Sequence, residues 1–222
     1  MSSEMIQIIV LAVIALFLVL RLRSVLGTRS GYEKPEGRST ARPELPVRPK
    51  PVLDQVEHAI DEDIAAHVKR DSPAYGGFAR LKAAEPDFTV EEFLAGARQA
   101  YEMIVMGYES GDLDGLQGLI SPEVQEGFAK AIAARRSAGL IVEARFIGVR
   151  EAQITEARFD ERSRIAEITL RFVGELASVV RNARGEIVEG DPSAIRRQTD
   201  IFTFERRVGS PDPNWVLVST GE

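Results

Sequence analysis

Asp200 is the residue of this sequence whose type and position best fit a catalytic role. It alternates with Phe202 and Phe204 in the run TDIFTFERR, and residues two apart in a strand lie on the same face of the sheet. A carboxylate on a buried apolar face would have a raised pKa, which makes Asp200 a candidate general base. The competing interpretation, which we favour, is a strand-end acid that forms an ion pair with Arg196 or Arg197.

Other residue types that commonly carry catalysis or bind metals are sparse. The chain has no cysteine, so disulfides, thiolate metal sites and a cysteine nucleophile are excluded. His58 and His67 do not match the i, i+4 spacing of a helical zinc pair. No phosphate-binding glycine loop is present. We therefore expect no catalytic residue, no metal site and no cofactor.

Trp215 raises the question of a pocket because it is the only tryptophan in the chain. It follows the loop GSPDPN and precedes the last predicted strand. A tryptophan at such a place either lines a binding pocket or fills a small core. We favour the core, with Trp215 and Phe204 closing it where the last two strands meet.

Composition and charge limit the class of protein. The chain has 222 residues, 44% of them hydrophobic and 28% charged, which is typical of a globular protein. Residues 21–53 carry a net charge of +5, whereas the chain from residue 54 onward carries −10. An acidic body argues against nucleic acid as a partner. A basic strip beside an apolar segment favours a membrane surface.

Residues 1–26 are predicted to be a transmembrane anchor. Residues 5–20 are apolar except for Gln7, and as a helix they would be roughly 24 Å long, a little short of the ~30 Å hydrocarbon core. A cleaved signal peptide has cationic residues before its apolar run, but only Glu4 is charged there. Arginines after the run place the rest of the chain in the cytoplasm. The predicted anchor side chains are Ile6, Ile9, Leu11, Ile14, Phe17, Leu20, Arg21 and Arg23.

Three further segments follow the anchor. Residues 27–51 contain five prolines and several basic side chains, which predicts a solvated flexible linker. Residues 52–74 have an apolar side chain at every fourth position up to Val68, followed by the breaker DSPAYGG, and are predicted to be an amphipathic helix and hinge. Residues 75–222 are predicted to form the folded domain. A fragment that starts near Ser72 is therefore expected to fold alone.

Within that domain the pattern changes from helical to extended. Thr89 and Glu92 form a capping box that begins a helix ending at Gly111, and Ser121 followed by proline begins another helix. After Gly139 the apolar residues recur at every second position, which indicates strands. Helices followed by strands predict an α+β fold in which helices cover an antiparallel sheet.

Three stretches resemble the Tim44-like domain family, which comprises the C-terminal domain of the mitochondrial import-motor adaptor and bacterial inner-membrane homologues. They are DFTVEEFLAGARQAYEMIVMGYESGDLDGLQGLISPEV, IVEGDPS and TDIFTFERRVGSPDPNWVLVST. The resemblance covers residues 75–220, and it departs at Phe202, where a tryptophan is expected. It implies helices on a curved antiparallel sheet, related to the nuclear-transport-factor-two-like or cystatin-like cone.

The resemblance also implies a function. We expect a membrane-anchored, non-enzymatic adaptor at the cytoplasmic face of a bacterial inner membrane. Its expected partners are a protein, such as a chaperone or translocation or membrane-protein assembly machinery, and membrane lipids, but no nucleic acid. The alternative is a cone-fold domain that binds a small molecule or a lipid, or less plausibly an enzyme. Candidate binding residues in the cone are Phe146, Ile168, Leu170, Phe172, Phe202, Phe204 and Trp215.

Overall fold

A computed structural model describes residues 62–221. The predicted anchor at residues 1–26, the predicted linker at 27–51 and His58 lie outside the described residues. Between residues 62 and 221 no helix is long and apolar enough to cross a membrane.

Helices make up the first part of the described chain. Residues 62–67 are helical, and three longer helices follow with a single turn of 3₁₀ helix between the second and third. Each longer helix begins after a hydroxyl side chain that accepts a hydrogen bond from a first-turn backbone N–H, namely Ser72, Thr89 and Ser121. The elements are α1 (Pro73–Ala84), α2 (Val90–Ser110), the 3₁₀ turn (Asp114–Leu116) and α3 (Pro122–Ser137).

Five antiparallel strands make up the rest. They are β1 (Ile141–Asp160), β2 (Ile165–Arg181), β3 (Ile187–Gly190), β4 (Arg196–Arg207) and β5 (Val216–Gly221). The strand order is β1-β2-β4-β5, and β3 pairs with the end of β2. Strand β3 was not predicted, because all four of its residues are exposed and show no alternation of buried and exposed positions. The predicted order of helices followed by strands is confirmed.

One face of the sheet packs against the helices. Ile168, Leu170 and Phe172 of β2 are fully buried there, and they belong to the same apolar cluster as Tyr101 and Ile104 of α2. The α+β class, with helices packed on an antiparallel sheet, is therefore confirmed. The finer likeness to a cone-shaped fold stays a prediction.

The core begins earlier in the chain than residue 75. Ile64 and Val68 are buried members of the main apolar cluster. The carboxylate of Asp63 forms an ion pair with the buried Lys82 and accepts a hydrogen bond from the backbone N–H of Val90 at 3.1 Å. Residues 62–68 thus contribute both apolar and polar contacts to the domain, and a fragment starting at Ser72 would lack them.

Candidate functional site

Asp200 lies in β4 on the core side of the sheet and is 8% exposed. Its Oδ2 accepts a hydrogen bond of 2.5 Å from the hydroxyl of Tyr101, in the middle of α2. The side-chain amide of Gln198 donates to both of its carboxylate oxygens, at 2.9 and 3.0 Å. Arg196 and Arg197 form ion pairs with Glu189 and Glu175. Neutral donors from Tyr101 and Gln198 therefore hold Asp200 on the core side, and its pairing with Arg196 or Arg197 stays a prediction.

The Tyr101–Asp200 pair is built into the core. The ring of Tyr101 stacks on that of Phe172, with centroids 4.5 Å apart, and Tyr101 has no exposed surface. A Cβ on Gly174 would lie 2.5 Å from the Tyr101 hydroxyl, so the backbone of β2 closes over the pair. Burial raises the pKa of Tyr101, and the neighbouring Asp200 carboxylate raises it further. Tyr101 therefore stays protonated and acts as a fixed donor to Asp200.

Replacing Tyr101 with phenylalanine should reveal this contact through stability and its pH dependence. We expect a loss of about 1–3 kcal/mol at neutral pH, because a buried carboxylate loses a donor. The pKa of Tyr101 is higher in the folded protein than in the unfolded chain. Its contribution to the stability of the fold is therefore fully present below the unfolded pKa of about 10, and it is lost as the pH rises above that value. The free energies of unfolding of wild type and Tyr101→Phe, measured by denaturant melts, should therefore become equal as the pH is raised into the alkaline range. A constant gap between the two curves would contradict the assignment.

The seven apolar residues predicted to bind lie in two different places. Ile168, Leu170 and Phe172 are completely buried in the core. Phe202 is 4% exposed and also packs in the core, and Phe146 is partly buried with its ring 6.0 Å from that of Tyr101. The remaining two, Phe204 and Trp215, line an open groove.

This groove is the candidate functional site, and its cavity volume is about 350 Å³. Its walls come from the loop between α1 and α2, the first half of α2, strand β4 and the residues just before β5. The apolar floor is formed chiefly by four aromatic side chains. All the lining residues are Glu85, Asp87, Phe88, Thr89, Glu92, Phe93, Gly96, Ala97, Ala100, Leu119, Phe204, Arg206, Pro213, Asn214 and Trp215.

Trp215 stands at the centre of the aromatic floor. The rings of Trp215 and Phe93 meet edge to face, with centroids 4.8 Å apart. The centroid of Trp215 is 6.1 Å from that of Phe88. The guanidinium of Arg206 lies over the indole at 5.0 Å, within the range of a cation–π contact. Trp215 is only partly buried. One side of its ring therefore packs against the core, and the other side lines the groove. The core interpretation and the pocket interpretation each apply to one side of the ring.

The polar rim of the groove was missed by sequence reasoning. Arg206 donates to Glu85 at 2.6 Å, and within residues 62–221 its buried Nε has no hydrogen-bond partner. Asp87 and Glu92 are exposed. Three carboxylates and one guanidinium thus line the groove, giving it a net charge of −2. Of these carboxylates only Glu92 was noted in the sequence, as part of the capping box that begins α2.

Replacing Trp215 with alanine should lower stability by about 2–3 kcal/mol, below the 3–5 kcal/mol of a fully buried tryptophan, because part of the ring is already in solvent. Trp215→Phe should lower it by less, since a phenyl ring still contacts Phe93. Thermal and urea melts of the two variants measure these effects. A Trp215→Ala protein with wild-type stability would show that the indole contributes nothing to the core.

The groove and the buried Tyr101–Asp200 pair are separate features of the domain. The apolar, acidic-rimmed groove is open to solvent, and neither Tyr101 nor Asp200 lines it. Within residues 62–221 no cluster of three or more His, Asp or Glu side chains is arranged to hold a metal ion. The chain belongs to the Tim44-like domain family, whose model matches residues 74–222.

The chain is also similar to two mitochondrial proteins. The chain is 29% identical over 97 residues to human mitochondrial import inner membrane translocase subunit TIM44, covering 44% of this chain and 21% of the relative. It is 21% identical over 140 residues to subunit TIM44-1 of Arabidopsis thaliana, covering 63% of this chain and 29% of that relative. The chain thus matches less than a third of either relative's length.

A solved structure also aligns with part of the chain. It is the intermembrane-space region of the chloroplast protein ARC6, with a TM-score of 0.35 and 12% identity, covering 56% of this chain and 94% of the other. A score of this size carries no argument about fold or function.

Proposed function

We propose that this protein is a membrane-anchored, non-enzymatic adaptor that recruits a protein partner to the cytoplasmic face of a bacterial inner membrane. The observation that carries the proposal is the Tim44-like domain at residues 74–222. Both relatives are named as subunits of a mitochondrial import inner membrane translocase. A link to protein translocation or membrane-protein assembly follows by the same reasoning.

The groove supports binding rather than catalysis. General acid–base catalysis needs a titratable group within hydrogen-bond reach of the substrate. The carboxylate most suited to that task, Asp200, is held by Tyr101 and Gln198 inside the core. The groove instead offers aromatic surface and fixed charges, which are the features of a protein-binding patch.

Membrane anchoring rests on the sequence alone. Residues 5–20 are apolar except for Gln7. Arg21, Arg23 and Arg29 follow this segment, and the only charged side chain before it is Glu4. A positively charged flank is retained on the cytoplasmic side. The folded domain would therefore face the cytoplasm, where it can meet chaperones or assembly machinery and the surface lipids.

A topology fusion tests this arrangement. A phosphatase that is active only in the periplasm, fused after Glu222, should be inactive although the fusion protein sediments with the inner membrane. Changing Arg21, Arg23 and Arg29 to glutamine should let part of the population insert in the opposite direction and restore phosphatase activity. An active wild-type fusion would place the domain outside the cytoplasm and overturn the proposed topology.

A second candidate is a domain that binds a small molecule or a lipid. The observation in its favour is the size of the groove, since cavities of roughly 300–1,000 Å³ hold small ligands. The acidic rim favours a cationic or neutral ligand over an anionic lipid headgroup. Co-purification of a stoichiometric small molecule, displaced by the groove-filling change Gly96→Leu, would support this candidate over a protein partner.

A further inference from the structure

We propose that two copies of this chain associate through the free edge of β1, which pairs with the same edge of the second copy. The two strands would run antiparallel about a two-fold axis through Ala144 and would join the two sheets into one. This association is independent of the adaptor function, because it depends only on the strand edge and on the side chains along it.

The first part of β1 has an edge without a neighbouring strand. Strand β1 is at one end of the sheet order β1-β2-β4-β5, and among the described residues only β2 pairs with it. Between residues 62 and 221 no backbone hydrogen bond joins the other edge of residues 141–147 to another part of the chain. Such an edge presents N–H and C=O groups that can bond a further strand.

The helices cover the end of β1 closely but not its beginning. At Ala157, α1 packs so tightly on β1 that a Cβ on Gly77 would lie 1.9 Å from the backbone oxygen. At the beginning of the strand, by contrast, the core-facing Val142, Ala144 and Phe146 are only partly buried. A second strand therefore has room to pair with residues 141–147.

Two isoleucines on the opposite face of this segment are exposed to solvent. Ile141 is 59% exposed and Ile147 is 39% exposed. Natural edge strands usually avoid exposed apolar side chains, because these favour association with another strand. Pairing would bury part of both side chains, and removing apolar surface from water stabilises the paired state.

The charged side chains identify the occupant as a second copy. A two-fold axis perpendicular to the sheet places exposed side chains opposite exposed ones. With the axis through Ala144, Glu143 of each copy lies opposite Arg145 of the other, and opposite charges across a strand pair are stabilising. Arg181 of the same copy donates to Oε1 of Glu143 at 3.1 Å, which leaves Oε2 for Arg145 of the second copy.

The apolar side chains match in the same register. Ile141 lies opposite Ile147 of the second copy on the exposed face. Val142 lies opposite Phe146 on the face that carries the helices. The pairing ends where β1 becomes irregular, because its register with β2 shifts just after Phe146 and such a bulge interrupts a ladder.

Other two-fold registers match poorly. An axis through Glu143 would place two glutamates opposite each other, and an axis through Arg145 would place two arginines opposite each other. Like charges directly opposite are destabilising. An axis through Val142 or Phe146 would place a charged side chain opposite an isoleucine. The register centred on Ala144 is therefore selected.

Cysteine crosslinking tests the pairing in the full-length protein. The chain has no cysteine, so one introduced thiol reports one position. Ala144 would lie opposite itself, and the Cβ atoms of opposed residues are about 4.5–5.5 Å apart, close to the spacing of a disulfide. Mild oxidation of intact cells should convert most Ala144→Cys protein into a covalent dimer. Gln153→Cys is the control, since Gln153 is exposed on the same strand but outside residues 141–147, and it should stay monomeric.

A charge exchange tests the register. In the Ala144→Cys background, Glu143→Arg or Arg145→Glu alone creates two like-charge pairs across the axis, and the yield of covalent dimer should fall about tenfold. The double variant with both changes restores opposite charges and should restore the yield. Circular dichroism melts of the purified variants should be alike, because both side chains are exposed.

Three results would overturn the proposal. The first is an Ala144→Cys protein that stays monomeric or forms no more dimer than Gln153→Cys. The second is a double charge variant whose dimer yield is as low as that of the single variants. The third is a disulfide from position 144 to a different protein, which would assign the edge of β1 to that protein instead of a second copy.

Discussion

A fragment that begins at Ser72 is expected to be largely unfolded, whereas one that begins at residue 49 should melt cooperatively. The shorter fragment loses Ile64 and Val68, which are 0% and 4% exposed in the core. Burial of two such side chains stabilises by roughly 3–6 kcal/mol. Loss of Asp63 also leaves Lys82 buried without its ion-pair partner, which costs about 3–5 kcal/mol. The sum is comparable to the whole stability of a domain, about 5–15 kcal/mol.

Circular dichroism and urea melts of the two fragments measure this difference. The start at residue 49 is chosen because Pro49–Glu222 forms one compact unit by itself. The single change Asp63→Asn in the longer fragment is the control for the polar contribution, because it retains both apolar side chains. A Ser72 fragment that melts like the longer one would place residues 62–71 outside the cooperative core.

Gly77→Ala is expected to lower stability by about 3–5 kcal/mol, at or beyond the upper end of overpacking effects. Gly77 lies in α1, where an added Cβ would be 1.9 Å from the backbone oxygen of Ala157 in β1. No rotation of a side chain can relieve a clash with a backbone atom. The helix would have to move away from the sheet, and the contacts of Phe78 and Leu81 with the core would loosen.

The neighbouring glycine provides a matched control. A Cβ on Gly76 would have only the tip of Arg80 nearby, at 3.6 Å. Gly76→Ala should therefore raise stability by about 0.5–1 kcal/mol, because alanine restricts the unfolded chain and favours a helix. Urea melts of the two variants should shift in opposite directions. Equal shifts would mean that α1 does not pack closely on β1.

The elements that depend on local chemistry could be predicted from the sequence. Thr89 and Ser121 mark helix starts because each hydroxyl bonds a backbone N–H only three residues away. The alternation in β2 and β4 was readable because one face of each strand is buried. Strand β3 had no such signal, since its only support is pairing with the end of β2.

The site could be predicted only in part, because its contacts join distant parts of the chain. Phe204 and Trp215 were found from their type and position. Arg206 and Glu85 are 121 residues apart, and Tyr101 and Asp200 are 99 residues apart. A single sequence carries no sign of such pairings. The hydrogen bond from Tyr101 to Asp200 was not predicted, because partners for Asp200 were sought only among residues close to it in the sequence.

Site-specific photo-crosslinking in living cells tests the central claim, that this domain acts by holding a protein partner in its groove. A photoreactive amino acid at the exposed position of Asp87 should form a discrete adduct with a membrane-associated or cytoplasmic protein. The adduct should be lost in Gly96→Leu, which fills the groove. It should persist in the control Gly127→Leu, because Gly127 also lies in a helix with open space around it but outside the groove. No adduct from position 87, or an adduct of equal intensity in both backgrounds, would contradict the account.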